Sequence, residues 1–445
     1  MHALATMIAL LSGCEKPAVE GASDATGDLT LTVSENVVTY FTADWTSGAL
    51  GRTRVEIDDG EVPVLVTDWQ EGPSGTGVPI LGVWPSHTFT ARLVDEEGTV
   101  LDSTSFTTES GPTELSQMTS VGTATWTGYA IVELASIELQ TVAILAPNGQ
   151  PVWYWQRGAQ FLSRAALRKD GRGIWLVGMP SEDTILDSWL GSVDWDGNLL
   201  VDLEPFGNNG EGMTHDVLEL DDGRLLFLGP ETRIVQEVPY VGDTLFALET
   251  DGTETRLWSF WDTFTPDGEI AAPPSWSHAN ALQWNEERST VWVGARALST
   301  LVELDPATWK PVSQIGGPKP TFIPVLEAKL PYAQHQFAFQ GDRLAIHDNR
   351  DPDIGSRVVV YDLDFAAQTL TETWEYVPDP VRYDFVLGDV AWLREDALLI
   401  TWSTAGLMEE RSLDGNAPWS VVFDLGTFFG YTQHIDALPG STPVQ

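Results

Sequence analysis

The chain has 445 residues, 42% of them hydrophobic, and its 65 acidic side chains outnumber 23 basic ones for a net charge of −42. That apolar share excludes wholesale disorder and is enough for one large domain plus a small one. The charge sets the surface against nucleic acid and anionic membrane, and a single cysteine, Cys14, excludes any internal disulfide.

Residues 1–13 read as a lipoprotein-type signal. An apolar run from Ala3 to Leu11, too short to span a bilayer, ends at Ser12-Gly13 before Cys14, the residue that would be acylated. The expectation is an exported lipoprotein that meets the bacterial envelope only through that lipid; the alternative is a structural cysteine in an unstructured N-terminus. Residues 14–26 read as a linker. Over 27–110, short alternating runs such as Leu29-Thr30-Leu31-Thr32-Val33 and Thr88-Phe89-Thr90-Ala91-Arg92-Leu93-Val94 predict a small immunoglobulin or fibronectin-III-like β-sandwich. His87 reads as a surface residue of that last strand.

From Gly111-Pro112 to the end a repeat takes over. Six times an apolar strand meets a turn and a second strand follows: Asn148-Gly149, Asp196-Gly197, Asp251-Gly252, Asp305-Pro306, Asp364-Phe365 and Asp414-Gly415, at intervals of 48 to 59 residues. Asn-Gly and Asp-Gly are strong hairpin signals because both positions want positive φ. Further turns lie between them, at Asp170-Gly171, Asp222-Gly223, Glu286-Glu287, Gly341-Asp342 and Glu395-Asp396. Two hairpins per period mean four strands per period, so the fold class is all-β: a six-bladed β-propeller over 111–445, preceded by the sandwich. With five complete inner hairpins for six blades, one blade must be closed by the ends of the domain, and His434-Ile435-Asp436-Ala437-Leu438 reads as the closing strand. Most of the nineteen tryptophans read as packing between sheets.

Three histidines occupy the same phase of successive repeats: Thr214-His215-Asp216, Ser277-His278-Ala279-Asn280 and Gln334-His335-Gln336, 63 and 57 residues apart. Each opens an apolar strand, and first strands line the channel of a propeller. The second strand returns antiparallel, so its last residues lie beside the start of the first. That places Arg296 near His278 and His347 near His335. One rim should therefore gather His215, His278, Asn280, Arg296, His335 and His347, with Arg357 approaching from a loop and His434 beginning another rim strand. A guanidinium fork with several imidazoles suits an oxyanion, and a neutral imidazole can also attack. The rivals are histidines as metal ligands of a hydrolase, which Arg296 would oppose by repelling the cation, and a non-catalytic pocket for an anionic or aromatic ligand. The run Asp348 to Asp353 lacks the spacing of a calcium loop and reads as a solvated turn.

These segments resemble the bacterial arylsulfate sulfotransferase family. The likeness lies in Thr214-His215-Asp216, in Ser275-Trp276-Ser277-His278-Ala279-Asn280 running on to Ala295-Arg296-Ala297, and in Gln334-His335 with His347-Asp348-Asn349 and Ser356-Arg357-Val358. The resemblance implies a six-bladed propeller that moves a sulfuryl group from an aryl sulfate to a phenol without 3′-phosphoadenosine 5′-phosphosulfate, with no cofactor or metal. It puts His335 at the nucleophile that is transiently sulfated, His215, His278 and Arg296 at the groups that hold sulfuryl oxygens and move the proton, and Asn280 at a supporting position. It allows a homodimer through the sandwich. Three departures stand out, the expected lipid anchor at Cys14 among them. His347 occupies a place where the resemblance calls for an apolar or aromatic residue, and the chain lacks the cysteines for the disulfide that some members carry.

Overall fold

The computed structural model describes residues 27–60, 63–135, 139–158, 161–179, 188–207, 212–266, 275–423 and 428–443. The signal, Cys14 and the linker over 14–26 lie outside them. No helix among the described residues is long and apolar enough to cross a membrane.

Gly27–Val33, Phe41–Ser47 and Ser74–Ile80 form a three-stranded sheet, and Thr53–Asp58, Pro63–Thr67, Thr88–Asp95 and Val100–Thr107 a second one. In Thr88–Asp95 buried residues alternate with more open ones, so one face meets the core. Trp45, Ile57, Phe89 and Phe106 fill the space between the two sheets. The second sheet gains its edge strand, Ser441–Pro443, from the far end of the chain, paired with Pro63–Thr67. The larger unit therefore does not run to the last residue as the turn pattern suggests. His87 is half-buried ahead of its strand, its ring against Trp84 and Phe89.

Among the described residues six sheets make the rest, antiparallel except where Ile323–Val325 pairs in parallel with Thr369–Tyr376 at the edge of the fifth. In the first, Phe428–Ile435, Tyr129–Ala135, Leu139–Leu145 and Pro151–Gly158 lie in that order; the second runs Phe161–Leu167 to Leu199–Leu203. The third runs from Thr214–Glu219 to Glu254–Ser259 and the fourth from Ala279–Asn285 to Lys310–Gly316. The fifth starts at Phe337–Gln340 and the sixth at Asp389–Arg394, which ends on Trp419–Phe423 and Met118–Gly122. The innermost strands touch one another in a closed cycle, sheet to sheet, back to the first. This all-β arrangement is consistent with a β-propeller.

The sequence explains the layering. Second strands such as Thr-Val-Trp-Val-Gly-Ala over Thr290–Ala295 are buried along their whole length, because neighbouring sheets cover both faces. Outer strands such as Leu199–Leu203 are mostly open. Trp153, Trp189, Trp276, Trp292, Trp402 and Trp419 are fully buried, as expected for aromatic packing. The outer turns close where Asn-Gly and Asp-Gly stand, with Gly149 at φ 79° and Gly415 at φ 97°.

Polar bonds stitch the inner strands. Asp389 Oδ2 accepts from Thr432 N at 2.6 Å, and Ser163 Oγ donates to the His215 carbonyl at 3.0 Å. Asp216 Oδ2 accepts from Leu282 N at 2.8 Å, and Asn280 Nδ2 donates to the Gln334 carbonyl at 3.1 Å.

Two sheets are closed by chain ends. Met118–Gly122 adds to the sixth, and Phe428–Ile435 supplies the inner strand of the first. The closing strand thus starts earlier than the His434-to-Leu438 reading placed it. Inner strands start at the mouth, so His434, near this strand's end, stands away from it and bonds the Thr127 carbonyl at 2.9 Å. The apolar stretch before His434 carried the strand signal, and the histidine belongs to its last turn of register. Truncation before Phe428 leaves the inner edge of Tyr129–Ala135 unpaired. The truncated chain is expected to lose its cooperative melting transition in calorimetry; a transition unchanged from the full chain would contradict the closure.

Candidate functional site

Backbone geometry aims the first two histidines. His215 lies where the pairing of Thr214–Glu219 slips between Thr214 and Val217, and His278 directly precedes Ala279–Asn285, whose pairing slips between Ala279 and Ala281. Both residues hold positive φ, 55° and 48°. A left-handed residue with a Cβ costs roughly 1–2 kcal/mol, and at a bulge it re-aims the side chain out of the sheet's alternation. The two rings face each other with centroids 5.0 Å apart. Buried Asp243 holds the turn around His278: its carboxylate accepts from Ser277 Oγ at 2.6 Å and Ala279 N at 2.7 Å. Burial raises this carboxyl to about 6 against those donors.

Arg296 arrives as the antiparallel return predicts, its N–H donating to the His278 carbonyl at 2.9 Å. Its guanidinium makes no ion pair among the described residues; Nη2 reaches the Phe385 carbonyl at 3.3 Å. An open cavity of ≈ 240 Å³ lies beside it, lined by Tyr332, Arg350 and Tyr383 among others. A larger one of ≈ 370 Å³, near Tyr40 and Trp195, lies at the sandwich and contains none of the histidines.

His335 is buried, and its tautomer can be assigned. Asn349 Nδ2 donates to the Asp384 and Leu387 carbonyls, both at 2.9 Å, so Asn349 Oδ1 faces His335 Nδ1 at 2.8 Å. That network puts the proton on Nδ1 and the lone pair on Nε2. Leu387 N–H donates to Nε2 at 3.1 Å.

All three rings are held neutral. Burial lowers His215 to about 3, helped by His278 and Arg296, and lowers His278 to about 4, helped by Arg296. Burial also takes His335 well below its ordinary value; Asn349 opposes this, while Arg296, His278 and His347 add to it. His215 and His278 keep part of their surface open at the mouth. Asn280 is buried, and its Oδ1 has no hydrogen-bond partner among the described residues.

Two expected members stand elsewhere. The backbone of His347 does lie beside His335, its N–H on the Gln336 carbonyl at 2.9 Å. Its ring, however, is wholly buried toward the sixth sheet, edge-on to Trp402, with Nε2 3.2 Å from Asp384 Oδ2 but off the line of a hydrogen bond. It supports the wall instead of facing the mouth. Arg357 lies in strand Arg357–Asp364, not on a loop, and its guanidinium is committed to Asp348 at 2.8 Å, Glu375 at 2.8 Å and Glu372 at 3.2 Å. A buried guanidinium requires such partners.

The Asp348-to-Asp353 run is split. Asp348 and Asn349 are buried, and the exposed turn takes in Asp351 to Ile354. Sequence reasoning missed Asn349, Asp243, Asp384 and Leu387. For Asn349 a signal existed, because the strand that carries His347 brings it back beside His335. No group of three histidine, cysteine, aspartate or glutamate side chains among the described residues could hold a metal ion.

The sequence model of the Arylsulfotransferase (ASST) family matches residues 120–421. The chain belongs to the arylsulfotransferase family. Its members are transferases that act on aryl sulfates and phenols. The match spans His215, His278 and His335 and the strands that follow them. No curated protein matches the chain. Among solved structures it is similar to an auxiliary nutrient binding protein from Bacteroides ovatus, with 11% identity over 86% of this chain and 84% of that one and a TM-score of 0.39. It is also similar to a putative 6-phosphogluconolactonase from Bacteroides uniformis, with 9% identity, 86% and 99% coverage and a TM-score of 0.41. A third is apo AztD from Citrobacter koseri, with 8% identity, 86% and 98% coverage and a TM-score of 0.37. Likenesses of this degree decide nothing about substrate.

The neutral rings have a consequence for stability. Their folded-state values lie below the ordinary 6.5, so their contribution is complete above that pH and is lost as pH falls toward the values near 4 and 3. Melting temperature is expected to drop between pH 6.5 and 4, and His278→Gln to shallow that drop. An equal slope in the variant, read by calorimetry, would show that His278 is not buried neutral.

Proposed function

We propose that this arylsulfotransferase family member moves a sulfuryl group from an aryl sulfate to a phenol in two steps, through a sulfated His335, on a six-bladed propeller preceded by an immunoglobulin-like sandwich. The observation that carries this reading is the fixed tautomer of His335: a neutral, buried imidazole with its lone pair on Nε2, within the electrostatic reach of Arg296 and His278. A neutral ring is the form that attacks.

In the first step the Nε2 lone pair forms a bond to sulfur as the S–O bond to the aryl group breaks, and the electron pair leaves on the phenolate oxygen. The ring becomes positive and the attached SO₃ negative, so charge is conserved. Nδ1–H stays on Asn349 Oδ1, which steadies the positive ring without taking its proton. In the second step a phenol oxygen attacks sulfur, the N–S bond breaks, and the phenolic proton passes to His215 or His278. Both rings are neutral, and an anionic substrate beside them raises their affinity for a proton. Arg296 and Asn280 would hold sulfuryl oxygens, and the cavity at Tyr332 and Tyr383 would take the aryl ring. No cofactor enters. Export as a lipoprotein anchored at Cys14, which rests on the apolar run from Ala3 to Leu11 before that cysteine, and pairing of two copies through the sandwich, which rests on the family resemblance, belong to this reading as proposals.

Incubation with 4-nitrophenyl sulfate and a phenol is expected to release nitrophenolate and yield the new aryl sulfate. His335→Ala should abolish release while circular dichroism stays unchanged, and full activity in that variant would remove the mechanism. Arg296→Gln is expected to slow release by roughly 100-fold, the usual effect of losing one oxyanion donor. Because the nucleophile is held neutral, release should show no acid limb centred near 6.5. A limb there would mean that an ordinary, solvated histidine limits the reaction.

A further inference from the structure

The lone pair of His335 Nε2 is already occupied. Leu387 N–H sits on it at 3.1 Å, although Nε2 is the atom that the proposed mechanism needs. The donor is held with care. The Leu387 carbonyl accepts from Asn349 Nδ2 at 2.9 Å, the same amide that fixes the His335 tautomer. The Leu387 side chain is buried, and its φ is 56°, a left-handed conformation for a residue with a branched side chain. Strain of this kind persists where surroundings enforce it, and it concentrates at functional positions.

The segment is pinned on both sides. The Asp384 carboxylate accepts from Ser403 N at 3.2 Å and Thr404 N at 2.8 Å, and Ser356 Oγ accepts from Asp384 N at 2.9 Å. Gly388 lies so close to His347 that a Cβ there would sit 2.2 Å from the ring. Between these anchors stand Phe385, Val386 and Leu387. Phe385 is half-exposed, and its carbonyl takes the Arg296 guanidinium. The short span therefore occupies both groups that a sulfuryl donor would claim: the nucleophile's lone pair and the guanidinium's donor.

We infer that the Leu387 N–H is a catalytic donor: it caps Nε2 at rest and passes to a sulfuryl oxygen as the N–S bond forms. This rests on the reading of His335 as nucleophile. Sulfur must come along the direction the N–H now takes, so the amide gives way sideways and stays beside the group that has displaced it. As the bond from Nε2 to sulfur forms, the bond from sulfur to the aryl oxygen breaks, and its electron pair departs with the phenolate. The N–H is neither gained nor lost; it changes acceptor. Arg296 leaves the Phe385 carbonyl for a second sulfuryl oxygen in the same movement.

Replacing Leu387 by its α-hydroxy analogue, through nonsense suppression, turns the amide into an ester and deletes the N–H while keeping the side chain. Two quantities are read: single-turnover release of nitrophenolate from 4-nitrophenyl sulfate, and labelling of His335 by diethyl pyrocarbonate without substrate. Release is expected to slow by about 100-fold and labelling to quicken by about tenfold, as the donor and the cap are lost together. Unchanged or faster release would reduce the amide to a cover and overturn the inference. The same ester placed at exposed Val381, outside the span, should leave release unchanged; a loss there equal to that at Leu387 would assign the effect to the backbone substitution itself and overturn the inference. In the unaltered protein, hydrogen exchange at the Leu387 amide should remain slow when excess donor is supplied without acceptor, and rapid exchange there would also overturn the role. If the unaltered protein releases no nitrophenolate, the sulfuryl-transfer reading fails, while the labelling arm still decides whether the N–H caps Nε2.

Discussion

The buried carboxylate of Asp216 is the contact on which the site depends. It follows His215 directly, and it reaches residues on or beside the inner strands of three other sheets. Oδ1 lies 3.2 Å from Arg164 Nε on the second sheet, and Oδ2 accepts from Leu282 N on the fourth at 2.8 Å and from Gln336 Nε2 on the fifth at 3.1 Å. Gln336 is the neighbour of His335, and Leu282 lies on the strand that His278 opens. One charge thus sets the mutual register of three histidine-bearing strands. A buried carboxylate is tolerable only with a cation and hydrogen-bond donors around it, so the strands must converge for the charge to be satisfied. Tyr431 closes the same centre from the first sheet, its hydroxyl donating to the Asn280 carbonyl at 2.9 Å.

That arrangement separates two kinds of charge. The carboxylates nearest the histidines are all turned to other tasks: Asp216 to strand register, Asp243 to the His278 turn, Asp348 to Arg357, and Asp384 to the turn at Ser403. What faces the mouth is a guanidinium without an ion pair among the described residues, and imidazoles that are neutral but able to donate. A chain with a net charge of −42 therefore presents here a surface suited to an anion. The partner of the His335 Nδ1 follows the same logic. Asn349 orients the ring as an aspartate would, but it adds no negative charge to the site.

Much of this was legible in the sequence, for physical reasons. Asn-Gly and Asp-Gly demand positive φ, so the turns marked the hairpins and the hairpins marked the sheets. Antiparallel return placed Arg296 and the His347 backbone correctly, because pairing partners follow from strand length alone. Side-chain direction was harder. His347 and Arg357 both lie on the right strands, yet one ring points between sheets and the other group points into a carboxylate cluster. Alternation along a strand decides which face a residue takes, and a bulge or a one-residue offset reverses it. His434 failed for a related reason, since the strand it belongs to begins before the polar signal that drew attention to it. Leu387 carries no signal at all: its contribution is a backbone N–H, which any residue but proline possesses.

The ring is sealed by pairing Phe428–Ile435 with Tyr129–Ala135, strands about three hundred positions apart along the chain. Contacts so remote form late, whereas the sheets bearing His215, His278 and His335 are consecutive and meet through neighbouring hairpins. The arc that holds the histidines can thus assemble while the seam is still open, and the seam itself lies outside that arc. New chain ends placed in an exposed turn such as Asp170-Gly171, with the old ones joined, would relocate the seam around the circle without disturbing the order of those three sheets.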